Sequence, residues 1–519
     1  MTKLLLTIFV VFLFALPLFA QEVEFDTTGW ERRYNGTGNS NDVATAIAVD
    51  GSGNVIVSGS SEGGLNNHSD YLTLKYNPSG DTVWLRRYND PTNGYDTTIA
   101  MIVDNSGNIY VTGYTCGNPT TKCDYLTLKY LPNGELSWAR KYNGTGNDDD
   151  KAQAIDLDGS GNLYVTGYSS NGINADCVTI KYFPDGDTAW VKRFSLPGNT
   201  HELAFSLAVD NPGNYCLTGV TVDGSQLDYL TVKCYTNGTC VSKTYNGPGN
   251  GMDVASDLAV DDSGYIYVTG FSTGIGTDVD FATIKYKPDL SDTVWLRRYY
   301  IPGSNNEERA LAIEVDDSVN VYVTGATFLT GTGWECTTIK YLSGGDSIWT
   351  RKFKGTSSGG PDKNFTLTLD NSNNIYVAGG TSDYPAANDI ATIKYYSNGD
   401  SAWMKRYNGS ANLSDWANAI ATDASGNVYV TGWSSDSSSY PKDFVTIKYV
   451  PFLRGDANHD TKVTIADIVY LVSYLFKHGT PPNPIQSGDA NCDGKVDIAD
   501  IVYLVSYLFK HGPRPQPCI

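Results

Sequence analysis

Histidine is scarce in this sequence, so much of what it normally supplies is missing. The chain has 5 histidines in 519 residues, and only His68 and His201 fall within residues 28–452. Histidine is the usual general base near neutral pH and a common transition-metal ligand. No nucleophile-elbow or phosphate-loop pattern is present either. These absences disfavour an enzyme that depends on any of these three devices.

Long apolar runs are also absent once the N-terminus is passed, so no membrane span is expected in the mature chain. The N-terminus itself reads MTKLLLTIFVVFLFALPLFAQ, with Lys3 before an apolar run and Ala20 before Gln21. This order predicts a secretory signal peptide over residues 1–20 and a linker over 21–27. A membrane anchor is the alternative, but the run is short for a stable span. We expect an exported protein, secreted or held at a cell surface through a partner.

Positive charge is in deficit, with 37 Lys and Arg against 57 Asp and Glu and a formal net charge of -20. Nearly all of the excess lies before Leu453, because the tail from that residue holds seven acids and six bases. An acidic body disfavours nucleic acids and anionic membrane surfaces as partners. Solubility is the simplest role for the charge.

Cysteine is modest in number, and none of the nine has metal-ligand spacing. An exported chain permits disulfides, and an odd count leaves at least one thiol free. The pairs closest to forming local crosslinks are Cys116 with Cys123, Cys234 with Cys240, and Cys492 with Cys518.

What the sequence has in abundance is one repeated unit. The string D-x-S-G-N-x-Y-V-T-G recurs eight times at spacings of 51 to 55 residues, and its asparagine position falls at Asn54, Asn108, Asn162, Asn214, Tyr265, Asn320, Asn374 and Asn427. The string T-I-K-Y places a lysine at Lys75, Lys129, Lys181, Lys233, Lys285, Lys340, Lys394 and Lys448. The string W-x-R-R-Y-N-G places a tryptophan at Trp30, Trp84, Trp138, Trp190, Trp295, Trp349 and Trp403, and Ser242 breaks the series.

Each unit predicts four short strands, which in the first unit are ATAIAVD, NVIVSGS, DYLTLKY and DTVWLRRY. Val, Ile, Tyr and Thr dominate them, as strands require, and DGSG and NPSG are tight turns. Four strands at this period are typical of a propeller blade. A β-solenoid is the alternative, but its coils are usually shorter than about 30 residues.

The two ends of the array predict closure. The last unit stops after its third strand, Asp443 to Val450, and the first tryptophan strand, from Gly29, has no unit before it. If that strand completes the last blade, the ring has no free edge. The predicted fold is an all-β propeller of eight four-stranded blades over residues 28–452. Over roughly residues 28–450 the chain resembles the bacterial β-propeller repeat (SBBP-type) family.

Loop length predicts which face of the propeller binds. Two connections per unit are short, and the other two are long and variable, as in residues 35–43 and 60–70. The long connections of a propeller lie on one face, and that face is therefore the expected binding surface.

An acid five residues before each lysine forms a ring, at Asp70, Asp124, Asp176, Asp228, Asp280, Glu335, Asp389 and Asp443. Ion binding or acid catalysis would use such a ring. We favour a structural bond repeated in every blade, because catalytic sites are asymmetric and repeats are not. The same interpretation covers the repeated lysines and the paired bases after each tryptophan, such as Arg86 and Arg87.

Departures from the repeat point to function more directly. Trp334, Trp416 and Trp433 are extra aromatics, and Trp334 and Trp433 lie in or beside long loops. Trp334 and Trp433 are candidates for stacking on a sugar, and Trp416, where a first strand begins, is a candidate core residue. A glycosidase pair of carboxylates is a further hypothesis that the sequence leaves open.

The composition changes after Pro451. The run IADIVYLVSYLFKHG occurs identically at 465–479 and 498–512, with apolar residues at helical spacing. A loop of oxygen ligands precedes each copy, giving loop–helix units over 456–479 and 489–512. Calcium takes six to eight oxygens, and positions 1, 3, 5, 7, 9 and 12 of such loops supply them. The predicted ligands are Asp456, Asn458, Asp460, Lys462 (carbonyl), Thr464 and Asp467, and Asp489, Asn491, Asp493, Lys495 (carbonyl), Asp497 and Asp500.

Position 6 differs between the loops. Gly494 supplies the left-handed turn there in the second loop, whereas the first has Thr461. A β-branched residue resists that conformation, and Thr464 replaces a carboxylate. We therefore predict two calcium sites, the first of lower affinity.

Tandem motifs of this kind, over residues 453–519, resemble a type I dockerin. The resemblance implies a small all-α domain that is folded by two Ca²⁺ ions and docks onto a cohesin domain of a scaffold or surface protein. The resemblance also implies that the residues that recognise the partner are Ile465, Ala466, Ser473 and Lys477 in the first copy, and Ile498, Ala499, Ser506 and Lys510 in the second. Positions 10 and 11 are apolar here where many members have hydroxyls, which leaves the cohesin type open. Identical helices would let either copy present the same face.

Three functions fit these features. The favoured one is a secreted, non-catalytic binding or display protein whose propeller offers a ligand face, with a glycan as a candidate ligand. The second is a carbohydrate-active enzyme that cleaves glycosyl bonds in polysaccharide catabolism and is located by its dockerin. The third is a structural surface or adhesion protein.

Overall fold

The computed structural model describes residues 24–37, 40–63, 68–117, 122–198, 200–302, 307–329, 333–355, 365–383, 387–435, 441–458, 460, 462–483, 485–513 and 515. The chain divides into two compact units, Asp26–Val450 and a smaller unit that includes Pro451–Ile519. Within the described ranges, no helix is both long enough and apolar enough to cross a membrane.

The larger unit is a β-propeller of eight four-stranded antiparallel sheets, which confirms the predicted fold. The first strands of neighbouring blades contact one another and are therefore innermost. They are β2 (Asp42–Val49), β6 (Tyr95–Val103), β10 (Asp150–Leu157), β14 (His201–Val209), β18 (Asp253–Val260), β22 (Glu308–Val315), β26 (Thr366–Leu369) and β30 (Asp415–Thr422). The second strands are β3 (Val55–Ser61), β7 (Ile109–Cys116), β11 (Leu163–Ser170), β15 (Tyr215–Asp223), β19 (Ile266–Thr273), β23 (Val321–Leu329), β27 (Ile375–Asp383) and β31 (Val428–Ser435).

The third strands pair with the second, and the fourth strands form the outer edge of each blade. The third strands are β4 (Asp70–Tyr76), β8 (Cys123–Tyr130), β12 (Ala175–Tyr182), β16 (Gln226–Cys234), β20 (Val279–Tyr286), β24 (Gly333–Tyr341), β28 (Ala387–Tyr395) and β32 (Lys442–Phe452). The fourth strands are β5 (Thr82–Tyr88), β9 (Leu136–Tyr142), β13 (Thr188–Phe194), β17 (Cys240–Tyr245), β21 (Thr293–Tyr299), β25 (Ser347–Phe353), β29 (Ser401–Tyr407) and β1 (Glu24–Tyr34).

The N-terminal strand closes the ring as predicted. The eighth sheet has the order β1-β32-β31-β30, so β1 is the fourth strand of the last blade. Trp30 of β1 donates its indole N–H to the Pro78 carbonyl of the first blade at 3.1 Å. Arg33 pairs with Asp443 of β32 at 3.3 Å. The last blade is thus joined to the first by the same contacts that join the others.

The repeated D-x-S-G-N string forms the turn between first and second strands. In the first blade the Asp50 carboxylate accepts hydrogen bonds from the N–H groups of Ser52 at 2.9 Å and Asn54 at 3.0 Å. Gly53 has φ +76°, a conformation that glycine adopts without a steric cost. Lys75 also pairs with Asp50, at 2.8 Å. The repeated lysine therefore has a structural partner in this blade.

Blade four departs from the pattern at its outer strand. The register pairs Val241, not Ser242, with Lys233, whereas Trp84 pairs with Lys75 in the first blade. The prediction that Ser242 occupies the tryptophan position is therefore wrong, because the first blade has a one-residue bulge between Thr82 and Trp84 that β17 lacks. Disulfides join Cys234 to Cys240 beside this turn and Cys116 to Cys123 in blade two.

The remaining cysteines complete the account of the predicted crosslinks. Cys492 is disulfide-bonded, and Cys518 lies outside the described residues. Cys177, Cys216 and Cys336 are buried free thiols.

The smaller unit contains two helices, α1 (Ile465–Lys477) and α2 (Ile498–Lys510), and a 3-10 helix, Ile485–Gly488. Both α-helices begin at capping boxes, formed by Thr464 with Asp467 and by Asp497 with Asp500. The buried core contains equivalent residues from the two copies: Ala457 and Leu471 from the first, and Ala490 and Leu504 from the second. The two copies thus pack face to face around one shared core.

Candidate functional site

The predicted ring of acids is a ring of structural ion pairs. Each described pair joins two strands of one blade. The acid lies on the third strand, and its partner on the fourth strand is the second of the two bases that follow the tryptophan. The distances are 2.7 Å for Arg87–Asp70, 3.0 Å for Lys141–Asp124, 2.8 Å for Arg193–Asp176, 2.6 Å for Arg298–Asp280 and 3.8 Å for Arg406–Asp389. Blade four has Thr244 at the base position, and Asp228 instead accepts from Gln226 Nε2 at 2.9 Å. Repetition of the pair in six blades, including Arg33–Asp443 of the last, agrees with the structural interpretation.

A second ring of acids, which the sequence analysis missed, lies near the start of the first strands. These inner acids are all 0 or 1 % exposed, and they are Asp42, Asp96, Asp150, Glu202, Asp253, Glu308 and Asp415. Most of them accept a hydrogen bond from an N–H of the preceding long connection, as Asp42 does from Gly36 at 2.6 Å and Asp253 from Gly247 at 2.7 Å. They hold the long connections against the blade.

The inner acids lie deep enough to change their ionisation. Burial raises the pKa of Asp96 to about 6 and the pKa of Asp415 to about 6. Burial raises the pKa of Glu308 to about 8, with the neighbouring Asp280 carboxylate adding to the shift. The sequence does show these acids, since one recurs shortly after each Y-N-G string. It does not show that they are buried, because their burial depends on the neighbouring blade.

Three further acids on the innermost strands, Asp156, Asp257 and Glu314, break the repeat, and burial raises the pKa of each. Asp257 accepts from Ser206 Oγ of blade four at 2.8 Å and from the Ile313 N–H of blade six at 3.0 Å. Asp156 accepts from the Val209 N–H of the next blade at 2.7 Å. Both aspartates satisfy amides at the inner edge of an adjacent blade, so they join blades around the axis.

The residue after each inner acid faces its register partner on the second strand, and together these pairs form a surface that we call the rim. Seven pairs are described: Val43–Ser60, Thr97–Tyr114, Lys151–Tyr168, Leu203–Val220, Val254–Phe271, Arg309–Ala326 and Trp416–Trp433. The rim lies beside the long connections, on the face predicted to bind. Five of its fourteen residues are aromatic and none is acidic.

Rim side chains touch across blade boundaries in a consistent pattern. The Lys151 ammonium lies 5.2 Å from the Tyr114 ring centre, and the Arg309 guanidinium lies 4.8 Å from that of Phe271. Loop acids accompany both cations, since Lys151 is 3.8 Å from Asp149 and Arg309 is 2.9 Å from Glu307. Phe271 is buried, so the rim offers the half-buried rings of its two tyrosines and two tryptophans, beside cations whose charge is partly balanced.

The predicted extra tryptophans meet in blade eight. Trp416 and Trp433 stack with ring centres 6.3 Å apart and planes at 27°. The Lys442 ammonium lies 4.2 Å from the Trp433 ring centre. Trp416 also covers Gly380 of blade seven, where a Cβ would lie 2.4 Å from the indole. Both tryptophans are half-buried, so this cluster combines packing with exposed aromatic edges.

Trp334 does not join that cluster. It lies on β24, packs against Phe328 with ring centres 5.3 Å apart, and is half-buried. The structure thus keeps the two predicted sugar-stacking residues, Trp334 and Trp433, apart and places Trp433 against Trp416 instead.

A groove of about 510 Å³ opens on the opposite face, between the turns of blades four and five. Its lining includes Lys233, Cys216 and Asp210. A groove of about 540 Å³ lies at the matching place between blades eight and one. Because both are lined by the repeated turns, they follow from the fold of the blades.

The two predicted calcium loops make the same hydrogen bonds. Asp456 Oδ1 accepts from the Asp460 N–H at 3.0 Å, and Asp489 Oδ1 accepts from the Asp493 N–H at 3.1 Å. At the other end of the loops, Asp467 Oδ1 accepts from the Asn458 N–H at 3.1 Å. The matching contact, from the Asn491 N–H to Asp500, is 3.2 Å. Thr461 lies outside the described residues, and its partner position, Gly494, has φ +81°.

The chemistry of the loops suits a hard cation. Asp467 and Asp500 are 0 % exposed. Burial raises the pKa of Asp467 to about 6, with Asp456 and Asp460 adding to the shift. Within the described ranges, no three acidic, histidine or cysteine side chains are arranged to hold a metal as they stand. The fit to calcium therefore rests on buried like charges and an all-oxygen donor set, since these are the ligands calcium takes.

The predicted partner residues lie on a common exposed side. Ile465 and Ile498 are each 60 % exposed, whereas Leu471 and Leu504 on the packed side are 0 % exposed. Ala466, Lys477 and Lys510 are exposed, and Ala499, Ser473 and Ser506 are half-buried.

Four exposed residues that the sequence analysis did not select extend this side: Val469, Phe476, Val502 and Phe509, at 61 to 63 % exposure. Together with Ile465 and Ile498 they form one apolar stripe per helix. Helical spacing in the sequence could have grouped these residues on one side of each helix. Which side packs in the core and which is exposed could not be predicted without the position of the partner helix.

Comparison with known families agrees with this division. Residues 454–509 match the Dockerin type I domain, and residues 83–119, 138–174 and 403–438 match the Beta-propeller repeat. The chain thus carries a type I dockerin domain after β-propeller repeats. Type I dockerin domains bind calcium and a cohesin partner and indicate an extracellular protein of the cellulosome type.

No curated protein matches the chain. Among solved structures, Sqt1 of Chaetomium thermophilum is 10% identical with a TM-score of 0.51, over 82% of this chain and 98% of that one. The periplasmic gluconolactonase PpgL of Pseudomonas aeruginosa is 13% identical with a TM-score of 0.42, over 72% and 98%. Polysaccharide lyase Uly1 is 11% identical with a TM-score of 0.41, over 80% and 91%. The first likeness concerns the fold alone, and the other two carry no argument about function.

Proposed function

We propose that this protein is a secreted, non-catalytic binding protein whose dockerin, loaded with two Ca²⁺ ions, attaches it to a cohesin-bearing scaffold or surface protein. The observation that carries the docking part is the repeated apolar stripe. Each stripe exposes large apolar side chains at more than half of their surface, which a folded domain usually does where a partner binds. The stripes are identical in sequence, so either helix presents the same surface.

Calcium is held in this proposal by the twelve predicted ligands, from Asp456 to Asp467 and from Asp489 to Asp500. When bound, the ion neutralises carboxylates that the fold buries together. The residues of the chain do the rest: the capping boxes fix the start of each helix relative to its loop, and Leu471 and Leu504 pack the helices together. Ordering the loops therefore orders the stripes.

The propeller supplies the ligand face, and we propose a glycan as its ligand. Support comes from the rim, where aromatic residues and the Trp416–Trp433 stack lie beside the long connections. Aromatic faces pack against the apolar faces of sugars, and their burial contributes to binding. The acids on this side are held in structural ion pairs and loop hydrogen bonds, which favours binding over acid catalysis.

The test is a glycan array probed with the mature protein, followed by product analysis on each glycan bound. We expect binding that Trp433→Ala weakens and that Val83→Ala, an exposed residue on the outer strand β5, leaves unchanged. Release of new reducing ends would replace this proposal with the enzyme hypothesis. Failure to bind any glycan would favour a structural or adhesion protein.

A further inference from the structure

The two dockerin copies differ in charge at a buried position two residues before each calcium loop. Arg454 precedes the first loop, and Ser487 holds the same place before the second. Both are buried, at 6 and 0 % exposure. A buried arginine is unusual, and its charge must be balanced nearby.

Arg454 reaches across the pseudo-symmetric pair to the other copy. Its Nη1 atom lies 3.1 Å from Asp489 Oδ2, and the side chains of both residues are almost fully buried. The same nitrogen donates to the Asp489 carbonyl at 2.6 Å and to the Gln486 carbonyl at 3.3 Å. Asp489 is the first predicted ligand of the second loop, so a cation of the chain already contacts a proposed calcium ligand.

We propose that Arg454 is a built-in counter-ion of the second calcium loop, which stabilises that loop without calcium and lowers its calcium affinity. This inference rests on the proposed function, in which the loop takes calcium.

Charge explains both effects. Without the ion, Arg454 balances Asp489 in a buried place, where an unpaired carboxylate would be costly. With the ion, the guanidinium remains close to a second cation, and the two repel each other. Any contact that favours the metal-free form over the loaded form must weaken metal binding by the same free energy.

The contact also compensates a difference between the loops. The second loop has four carboxylates, Asp489, Asp493, Asp497 and Asp500, whereas the first has three. Calcium affinity rises with the number of charged ligands. By offsetting one charge, Arg454 narrows the difference in calcium affinity between the second site and the weaker first site.

A purely positioning role predicts the opposite sign. If Arg454 only held Asp489 in place for the ion, its loss would weaken calcium binding, by roughly 10- to 100-fold for an outer-shell partner. The two roles are therefore separated by the direction of the change in affinity, measured together with the order of the metal-free loop.

Hydrogen exchange on the full mature chain, with calcium as the only added ligand, measures both the calcium affinity of each loop and the order of the metal-free loop. The loop sequences differ, so mass spectrometry follows 456–464 and 489–497 separately, and the first loop serves as an internal reference. For Arg454→Ser we expect faster exchange of the second loop in chelator and half-protection at a calcium concentration lower by roughly tenfold. Arg454→Gln removes the charge but keeps an amide donor, and the same direction is expected. Arg454→Lys keeps the charge and should stay close to wild type in affinity.

Unchanged or weaker calcium protection of the second loop in Arg454→Ser and Arg454→Gln would overturn the inference. If Arg454→Ser fails to fold, the Arg454→Gln result decides. Absence of calcium protection in the wild-type chain would instead overturn calcium loading, and with it the docking part of the proposed function.

Discussion

Trp84 of the first blade lies directly on Gly134 of the second, so closely that a Cβ at Gly134 would sit 2.7 Å from the indole ring. The indole N–H donates to the Pro132 carbonyl of the same turn at 3.1 Å. Four further boundaries repeat the pairing of a tryptophan with a glycine, at Trp30–Gly80, Trp138–Gly186, Trp295–Gly345 and Trp349–Gly399. At the boundary between blades four and five the sizes of the two residues are reversed. There Val241 takes the tryptophan position, and the glycine position holds Leu290, which is 2 % exposed and shares a buried cluster with Cys216.

This inversion predicts strong coupling between the two positions. Val241→Trp alone should destabilise the propeller by about 1–3 kcal/mol, because the indole would meet Leu290. Leu290→Gly alone should cost about 1–3 kcal/mol, because the cavity it leaves is partly offset by relief of the left-handed backbone at this residue, where φ is +56°. The double variant should recover at least about 1 kcal/mol relative to the sum of the two. Urea unfolding measures all three, with Val191→Trp on an exposed outer position as the control. Strictly additive effects would contradict the exchange of volume across the boundary.

The acid ring can be tested for structure against function within the same chain. Asp280→Ala removes the carboxylate 2.6 Å from Arg298 and leaves that guanidinium with neutral partners, Ser272 and Tyr245, which should cost about 3 kcal/mol. Asp228→Ala removes only the Gln226 contact and should cost about 1 kcal/mol. Thermal unfolding gives the stabilities, and binding on the glycan array should be retained by both folded variants. Loss of binding without loss of stability would assign the ring a functional role.

The stability of the propeller should fall as the pH rises through the neutral range. Burial raises the pKa of Glu308 to about 8, well above the value of about 4.3 for an unfolded chain. The folded state therefore binds the proton more tightly, and its advantage is lost between about pH 4 and pH 8. Glu308→Gln should be neutral near pH 4 and stabilising by a few kcal/mol, about 2–5, above pH 8. Unfolding midpoints across pH measure this, and an equal effect at both ends of the range would contradict it.

Docking should survive the loss of one apolar stripe and fail with both. Val469→Asp and Val502→Asp each place a charge in the middle of a stripe, at side chains 63 and 62 % exposed. We expect each single variant to bind an immobilised cohesin in calcium with about a twofold change, because one of two equivalent faces remains. The double variant should lose at least about 100-fold. Surface plasmon resonance measures these affinities. Complete loss of binding in one single variant would show that the faces are not equivalent.

Calcium affinity should rise in the first loop when its missing glycine is restored. Thr461→Gly supplies the residue that Gly494 provides in the second loop, where φ is +81°. This loop position is expected to require a left-handed backbone, which a β-branched residue resists, so the change should gain about 1–2 kcal/mol of calcium binding at the first site. Calorimetry on the mature chain, with Thr461→Ser as the variant that keeps a side chain, tests this prediction. Unchanged affinities at both sites would refute the predicted order.

The parts of the fold that the sequence predicts are those set by local rules. The period of about 54 residues gave the blade count, and the strand from Gly29 supplied the missing fourth strand of the last blade. Turn residues and strand-forming residues predicted the strand Asp70–Tyr76 with the bounds that the structure shows. The failure at Ser242 has a local cause as well, because spacing alone cannot detect a one-residue shift in register.

The candidate sites divide in the same way. The two ligand sets could be listed from spacing alone, because calcium loops draw their ligands from one continuous segment. The exposed stripe of Val469 and Phe476 required the packing of two helices. The rim required residues of neighbouring blades, 37 apart for Lys151 and Tyr114 and 38 apart for Arg309 and Phe271, to be brought into contact.

The sequence by itself determined the repeat, its closure into eight blades and the presence of a paired loop–helix tail, since each depends on period, turn residues and amphipathic spacing. The tertiary structure alone decided which charges are balanced and which surfaces stay free. Asp280 has Arg298, Asp228 has only an amide, Asp257 joins three blades, and Arg454 reaches the opposite calcium loop. The reason is physical: the energy of a charge or an apolar side chain is set by what lies within a few ångströms of it, and in this chain those neighbours come from another blade or the other copy.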